Sequence, residues 1–416
     1  AVERERHGRR HNLVVAATGT GKTVIAALDY RRLREQHKGN LTLLFVAHRD
    51  QILQQALATF RHALRDGAFG ECFVGGARPT EWRHVFASIQ SISSLDPTTL
   101  SPTAFDMVIV DEFHHAAAST YRALLEHLKP RYLLGLTATP ERTDGLPIDT
   151  WFGGRIAAEL RLWDALARNL LVPFQYFGVH DEVRLDHLEW ARGGYLVREL
   201  ENVYTGNDAR VGKILQALRE KVADPGQMRA LGFCVSVAHA KYMAACFTRA
   251  GIPALAVHAE TSPTERTDAL RSLKDRRVNV LFTVDLFNEG VDIPEVDTIL
   301  LLRPTESATV FLQQLGRGLR LHEGKSCLTV LDFIGQQHRK FRFDLRFRAL
   351  TGKRRNELVD AIQTGFPFLP PGCHIELDRV AQRIVLDNVR QALIGLQEIL
   401  TRQAAGLAQI VQAAGE

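Results

Sequence analysis

Two short stretches hold the side chains best suited to chemistry. The first, AATGTGKT (16–23), sets glycines beside a lysine and a hydroxyl residue; the second, VIVDEFHHAAAS (108–119), delivers Asp111, Glu112, His114 and His115 together where a run of β-formers ends. In the first, Thr18, Gly19, Thr20 and Gly21 make a turn between an apolar strand and a helix. Its glycines let backbone N–H groups approach phosphate oxygens, and the following helix adds the positive end of its dipole. Lys22 has the reach for β- and γ-phosphates, and the Thr23 hydroxyl suits Mg²⁺. Ala16 stands where the pattern GxxxxGK[ST] begins with glycine, so the strict pattern is not met.

The acid and histidine cluster admits three readings: an ordinary polar strand exit, a metal site, or the hydrolytic edge of a nucleotide pocket. Side chains of adjacent residues such as His114 and His115 do not converge on one ion without a special backbone, which disfavours the metal site. In an open α/β sheet, ligands bind beyond the carboxyl ends of the strands. Both the loop at 16–23 and the cluster at 111–115 leave strands at that edge. On the nucleotide reading, Asp111 holds Mg²⁺ and Glu112 orients or deprotonates the attacking water.

Phosphoryl transfer also needs positive charge on the far side of the γ-phosphate. In QQLGRGLR (313–320), Gln313, Arg317 and Arg320 recur at helical spacing, so one face can carry all three. A surface helix with scattered arginines would show the same pattern. In TVDLFNEGVDIP (283–294), Gly290 permits close approach and Asp292 suits a ribose hydroxyl, against a plain polar turn. A basic segment follows, with Arg339, Lys340, Arg342, Arg346, Arg348, Lys353, Arg354 and Arg355 opposed only by Asp344 and interleaved with Phe341, Phe343 and Phe347. It is either a helix with solvated charges and a packed aromatic side or a phosphate-contacting stripe.

The elements that must position these residues alternate between strand and helix. Predicted strands are Leu13–Ala16, Leu41–Ala47, Met107–Val110 and Tyr132–Leu136. After them come Ala230–Val235, Ala254–His258, Val278–Val284, Thr298–Arg303 and Cys327–Asp332. Helical patterns lie between, notably Thr23–Arg34 and Asp50–Leu64. This is the signature of parallel sheets covered on both faces. It gives an α/β fold with one domain at 1–150, a connector at 151–205, a second domain at 206–345 and a helical tail at 346–416. The chain has 416 residues, too many for one core, with 45% hydrophobic and 24% charged residues and a net charge of +5. No apolar run approaches the length of a membrane span, which needs about 18 residues. Five scattered cysteines without a CxxC pair point to a reducing, cytoplasmic setting and away from zinc. Ala1 in place of Met, with no signal peptide, is the expectation for an excised fragment.

Taken in order, AATGTGKT (16–23), VAHRDQILQQA (46–56), ASIQSI (87–92), DEFHH (111–115), GLTATPERTDG (135–145), LGFCVSVAHAKYM (231–243), TVDLFNEGVDIP (283–294) and QQLGRGLR (313–320) resemble the motifs of a superfamily 2 helicase core. The type is DExH, as in restriction-enzyme ATPase subunits and excision-repair DNA helicases. The resemblance covers about residues 10–320. It implies two tandem RecA-like domains, ATP and Mg²⁺ as cofactors, and a nucleic-acid partner, DNA rather than RNA on subfamily resemblance. By that resemblance Thr23 and Asp111 hold Mg²⁺, Glu112 activates water, and Arg317 and Arg320 are arginine fingers. His114, with Gln313, Thr137 and Thr139, couples the nucleotide state to domain closure, and Arg49, Gln90 and Thr283 touch the nucleic-acid backbone. The tail is similar to bacterial helicases that carry further domains around the core, which would be partners of a monomeric core. The family's adenine-reading glutamine is expected before Ala1. The function expected is an ATP-dependent helicase or translocase on DNA. An RNA-remodelling ATPase, or a nucleic-acid-binding module that has lost hydrolysis, are the alternatives.

Overall fold

The computed structural model describes residues 8–95, 100–116, 118–139, 149–191, 193–287 and 292–394. They form two compact units, Ala1–Leu171 with Asn288–Asp292, and Val172–Phe287 with Ile293–Glu416.

The first unit is built on β1 (His11–Ala16), β2 (Leu43–Ala47), β3 (Glu71–Phe73), β4 (His84–Ser88), β5 (Met107–Val110), β6 (Tyr132–Thr137) and β7 (Ala158–Leu160), in the spatial order β3-β4-β2-β5-β6-β1-β7. Every pairing is parallel. Parallel strands require crossovers and are covered on both faces, so central strands must be apolar throughout. The strands LLFVA, MVIV and YLLGLT meet that demand and are buried at every residue. One face packs against the helices Lys22–Gln36 and Asp50–Leu64 through Tyr30, Leu33, Leu53 and Phe60. The other face buries Phe113, Tyr121, Leu125 and Phe152. Because the strands share one direction, their carboxyl ends open on one edge. Residues 16–23, 48–49, 88–90, 111–115 and 137–139 all lie along it.

The second unit holds β8 (Phe174–Arg184), a small antiparallel pair β9 (Trp190–Ala191) and β10 (Gly194–Tyr195), then β11 (Ala230–Phe233), β12 (Ala254–Val257), β13 (Val280–Thr283), β14 (Thr298–Leu301), β15 (Leu328–Gln336) and β16 (His374–Leu377). Its main sheet is parallel, in the order β12-β13-β11-β14-β15-β8-β16. Two parallel α/β sheets are what the strand–helix alternation and the tandem RecA-like expectation require.

Two stretches differ from the sequence reading. Residues 151–205, read as a connector in which LLVPFQYFGV (170–179) could be a strand, supply β7 to the first sheet and β8 to the second, where β8 overlaps that stretch and is sandwiched between β15 and β16. The tail after 346 is helical at Phe343–Thr351, Arg355–Gln363 and 379–394, but β16 interrupts it and extends the sheet. Both strands join partners distant in sequence, so no local period announces their place. Among the described residues, no helix is long and apolar enough to cross a membrane.

Candidate nucleotide site

β1 ends at Ala16, and the chain turns through Gly19 and Gly21 into the helix Lys22–Gln36. Gly21 takes φ 85°, a left-handed conformation that favours glycine, and no side chain caps the helix it precedes. An uncapped N-terminus leaves backbone donors for an anion. Thr20 Oγ1 closes the turn by donating to Ala17 O at 2.7 Å, and Lys22 Nζ donates to Ala16 O at 3.2 Å. Thr18 Oγ1 is buried with no hydrogen-bond partner among the described residues. A buried hydroxyl left unpaired is costly, and in a loop of this shape it suits a phosphate oxygen. Thr23 follows Lys22 in the first helical turn.

β5 stops at Val110, and the chain bends at once. The Asp111 N–H still donates to Val46 O at 2.9 Å, extending the ladder by one bond. The Asp111 carboxylate accepts from the Glu112 N–H at 2.9 Å. Glu112 itself lies at φ 49°, ψ 53°, a left-handed conformation that a side-chain-bearing residue seldom adopts. A single 3-10 turn, Phe113–His115, follows. What holds this bend is Phe113, fully buried, with its ring 4.8 Å from that of Phe152. Phe113 lies over Gly135 of β6, where an added Cβ would come within 2.9 Å of its ring and 2.7 Å of Phe152.

The electrostatics join the two loops. Burial raises the pKa of Glu112, but the Lys22 ammonium, with His114 and His115, outweighs it and holds the carboxyl at about 2. Glu112 is therefore a buried carboxylate poised beside the lysine of the phosphate loop. His114 Nδ1 lies 3.3 Å from Glu112 Oε2 and 3.4 Å from Thr137 Oγ1. Thr137 Oγ1 donates to Thr139 O at 2.9 Å, so Glu112, His114, Thr137 and Thr139 form one polar series across the ends of β5 and β6. Among the described residues, no three His, Cys, Asp or Glu side chains are placed to hold a metal ion on their own.

Sequence reasoning assigned His115 and His48 no role. The His115 ring lies 4.2 Å from His114 and 5.2 Å from His48, and Arg49 Nε donates to His48 Nε2 at 3.2 Å. Arg49 caps the helix Asp50–Leu64, and Gln90 is exposed on the short helix after β4. From β1 to β4 the edge spans four strand spacings, roughly 19 Å.

In the second unit, Gln313 and Arg317 lie on the helix Ala308–Gly318, both buried, and Arg317 Nε donates to Gln313 O at 3.4 Å. The helix ends at Gly318, and Arg320 lies two residues beyond it. Gly318 at this end packs so tightly on Leu328 that a Cβ would collide with it. Thr283 closes β13, wholly buried, with Oγ1 unpaired among the described residues. Asp292 is exposed. Gly290, residues 140–145 and the Arg355 side chain lie outside what the structure describes.

The basic segment is not one continuous stripe. Arg346 is buried in an ion pair with Asp332, which also accepts from the Tyr176 hydroxyl, and its guanidinium lies over Phe311 at 4.7 Å. Arg342 grips Asp344 through two bonds of 2.7 and 2.8 Å. Phe341, Phe343 and Phe347 are core residues. Arg339, Lys340 and Arg354 remain exposed.

Two family models match the chain: the type III restriction enzyme res subunit over residues 1–142, and the helicase conserved C-terminal domain over 212–322. The putative ATP-dependent helicase IRC3 of Saccharomyces cerevisiae is 28% identical over 349 residues, covering 79% of this chain and 49% of that protein. The chain thus spans about half the length of that relative. Among solved structures, the ATP-dependent type ISP restriction-modification enzyme LlaBIII bound to DNA superposes with a TM-score of 0.69 at 16% identity, over 94% of this chain and 32% of that one. Saccharomyces cerevisiae Dbp5 bound to RNA and ADP BeF3 gives 0.55 at 13% identity, over 90% and 89%. At such identities these two likenesses speak for the fold alone.

Proposed function

The chain is a superfamily 2 helicase core, and from that premise we propose that it is a nucleic-acid-stimulated ATPase that turns hydrolysis into movement on DNA. The observation that carries the reading is that the uncapped glycine loop after β1, with its buried, unpaired Thr18 hydroxyl, and the acid pair after β5 leave parallel strands at the same sheet edge. Thr18 to Thr23 cradle the triphosphate through backbone N–H groups, and Lys22 draws the terminal phosphates toward Glu112. Thr23 and Asp111 would hold Mg²⁺, which when bound neutralises charge building on the phosphates. Glu112, ionised and buried, orients the attacking water and accepts its proton. Arg317 and Arg320 would supply the opposing charge and Gln313 a neutral hydrogen-bonding group, with Gly290 and Asp292 at the ribose.

His114, Thr137 and Thr139 report the nucleotide state. Arg49 and Gln90, with Arg354 and Arg355, contact the nucleic-acid backbone, with few contacts to base edges; Thr283, wholly buried in β13, lies behind that surface. The restriction-enzyme family model supports DNA, and an RNA-remodelling ATPase is the second reading. Turnover of ATP by the 416-residue chain, measured alone and with single-stranded DNA, duplex DNA and RNA, tests both. Stimulation by DNA above RNA is expected. Stimulation by RNA alone favours the second reading, and no turnover with any of them overturns the ATPase.

A further inference from the structure

Two unassigned imidazoles at the carboxyl edge of the first sheet, His48 and His115, form a route with His114. It runs from Arg49, through His48, His115 and His114, to Glu112. Each link is a contact within one unit: 3.2 Å from Arg49 Nε to His48 Nε2, 5.2 Å and 4.2 Å between successive ring centres, and 3.3 Å from His114 Nδ1 to Glu112 Oε2. It bridges the ends of β2 and β5, which are neighbours in the sheet.

We propose that His48 and His115 are positioning residues that carry the state of Arg49 to Glu112. The inference rests on the reading given above, in which Arg49 meets the nucleic-acid backbone and Glu112 serves hydrolysis. Its physical basis has three parts. First, the Arg49 guanidinium donates to His48 Nε2, so that nitrogen is an acceptor and the ring carries its proton on Nδ1. A phosphate oxygen is a stronger, charge-assisted acceptor than a neutral imidazole nitrogen. Nucleic acid therefore draws Arg49 away and removes one restraint on the His48 ring, which packs against His115.

Second, His115 acts on Glu112 twice over. Its ring abuts His114, and its backbone N–H donates to Glu112 O at 3.0 Å. A shift of His115 thus reaches both the side chain that touches the Glu112 carboxylate and the backbone that aims it. Third, Glu112 sits in a left-handed conformation that its surroundings must impose. Such a residue moves when its clamps move, so a small displacement at His48 becomes a change in the aim of the carboxylate.

The test uses the 416-residue chain, a labelled single-stranded oligonucleotide, Mg²⁺ and a non-hydrolysable ATP analogue. The readout is the ratio of DNA Kd values without and with the analogue, which needs no turnover. In the wild type the analogue should change DNA affinity about tenfold, within the span usual for coupled sites, and His48→Phe or His115→Leu should bring that ratio within about twofold of one. Affinity for DNA alone, affinity for the analogue alone and the thermal midpoint should stay as in the wild type, which a merely structural role would not allow. His48→Gln offers Arg49 an acceptor near the lost Nε2 and should restore most of the ratio. Undiminished coupling in both His48→Phe and His115→Leu overturns the proposal. So does coupling lost only in step with DNA affinity or thermal midpoint, failure of His48→Gln to rescue, or a wild type that binds both ligands independently. Arg49→Ala separates the two levels: if it binds DNA as the wild type does, the DNA contact in the proposed function has failed, and the route loses its origin.

Discussion

Gly135→Ala would reach the hydrolytic site without touching any residue that meets ATP. The added methyl would stand 2.7 Å from Phe152 Cζ and 2.9 Å from Phe113 Cδ2. Carbon atoms rest comfortably at about 3.5–4.0 Å, so one ring or both must retreat by roughly 0.6–1.3 Å. Overpacking of this kind costs about 1–3 kcal/mol, visible as a lower thermal midpoint. The functional consequence is larger. Phe113 adjoins Glu112 and anchors the bend that aims it, and a misplacement of about 1 Å can cost on the order of a hundredfold in rate. Saturating turnover with Mg²⁺ and nucleic acid should therefore fall about tenfold to a hundredfold, while the affinity for ATP, set mainly by the loop after β1, changes little. The assay is steady-state ATP hydrolysis beside equilibrium nucleotide binding and a thermal melt. A lowered midpoint with wild-type turnover would mean that Phe152 alone gives way and that Phe113 does not position Glu112. Wild-type values for both would refute the steric reasoning altogether.

Arg346→Met should destabilise the second unit by about 3–5 kcal/mol in a denaturant melt, because the buried Asp332 carboxylate keeps the Tyr176 hydroxyl but loses its counter-charge. Its affinity for nucleic acid, measured below the melt, should be unchanged; a specific loss of affinity would return Arg346 to the phosphate-contacting stripe. His239 is fully buried, and burial, aided by the nearby Arg210 charge, lowers its pKa to about 3. Above about pH 6.5 neither the folded nor the unfolded chain protonates it; as pH falls from there toward 3 only the unfolded chain does, so stability declines by about 1.4 kcal/mol per unit. His239→Gln should flatten the fall in stability between about pH 6.5 and 4 by one proton's worth, and an unaltered slope in pH-dependent denaturant melts would count against the buried neutral ring.

The parts of the site that sequence made legible are those written in a few adjacent residues. The loop from Thr18 to Thr23 and the pair Asp111–Glu112 each follow a strand whose apolar run declares its end, and the parallel fold then brings those ends to one edge. The helix Asp50–Leu64 and the strand Met107–Val110 fall on the residues their periodicity indicates. What stayed hidden depends on partners far along the chain. β8 reads as part of a connector because its pairing with β15 lies some 150 residues away. Arg346 reads as one more surface cation because Asp332, which buries it, belongs to a different element. Arg320 keeps helical spacing in the sequence, yet the helix stops at Gly318. His48, His115 and the fit of Phe113 over Gly135 carry no local signature. They become visible only once β2, β5 and β6 lie side by side.

The central claim is that the phosphate loop and the Asp111–Glu112 pair form one hydrolytic site, and the comparison of Glu112→Gln with Lys22→Ala tests it most directly. Glu112→Gln keeps the shape of the side chain and removes the group that orients and deprotonates water. It should bind ATP as tightly as the wild type, measured by equilibrium nucleotide binding with Mg²⁺, while turnover falls by about 10²–10⁴. Lys22→Ala should lose binding and turnover together. Glu112→Gln turning over at the wild-type rate would contradict the claim and leave the buried carboxylate beside Lys22 without a catalytic role.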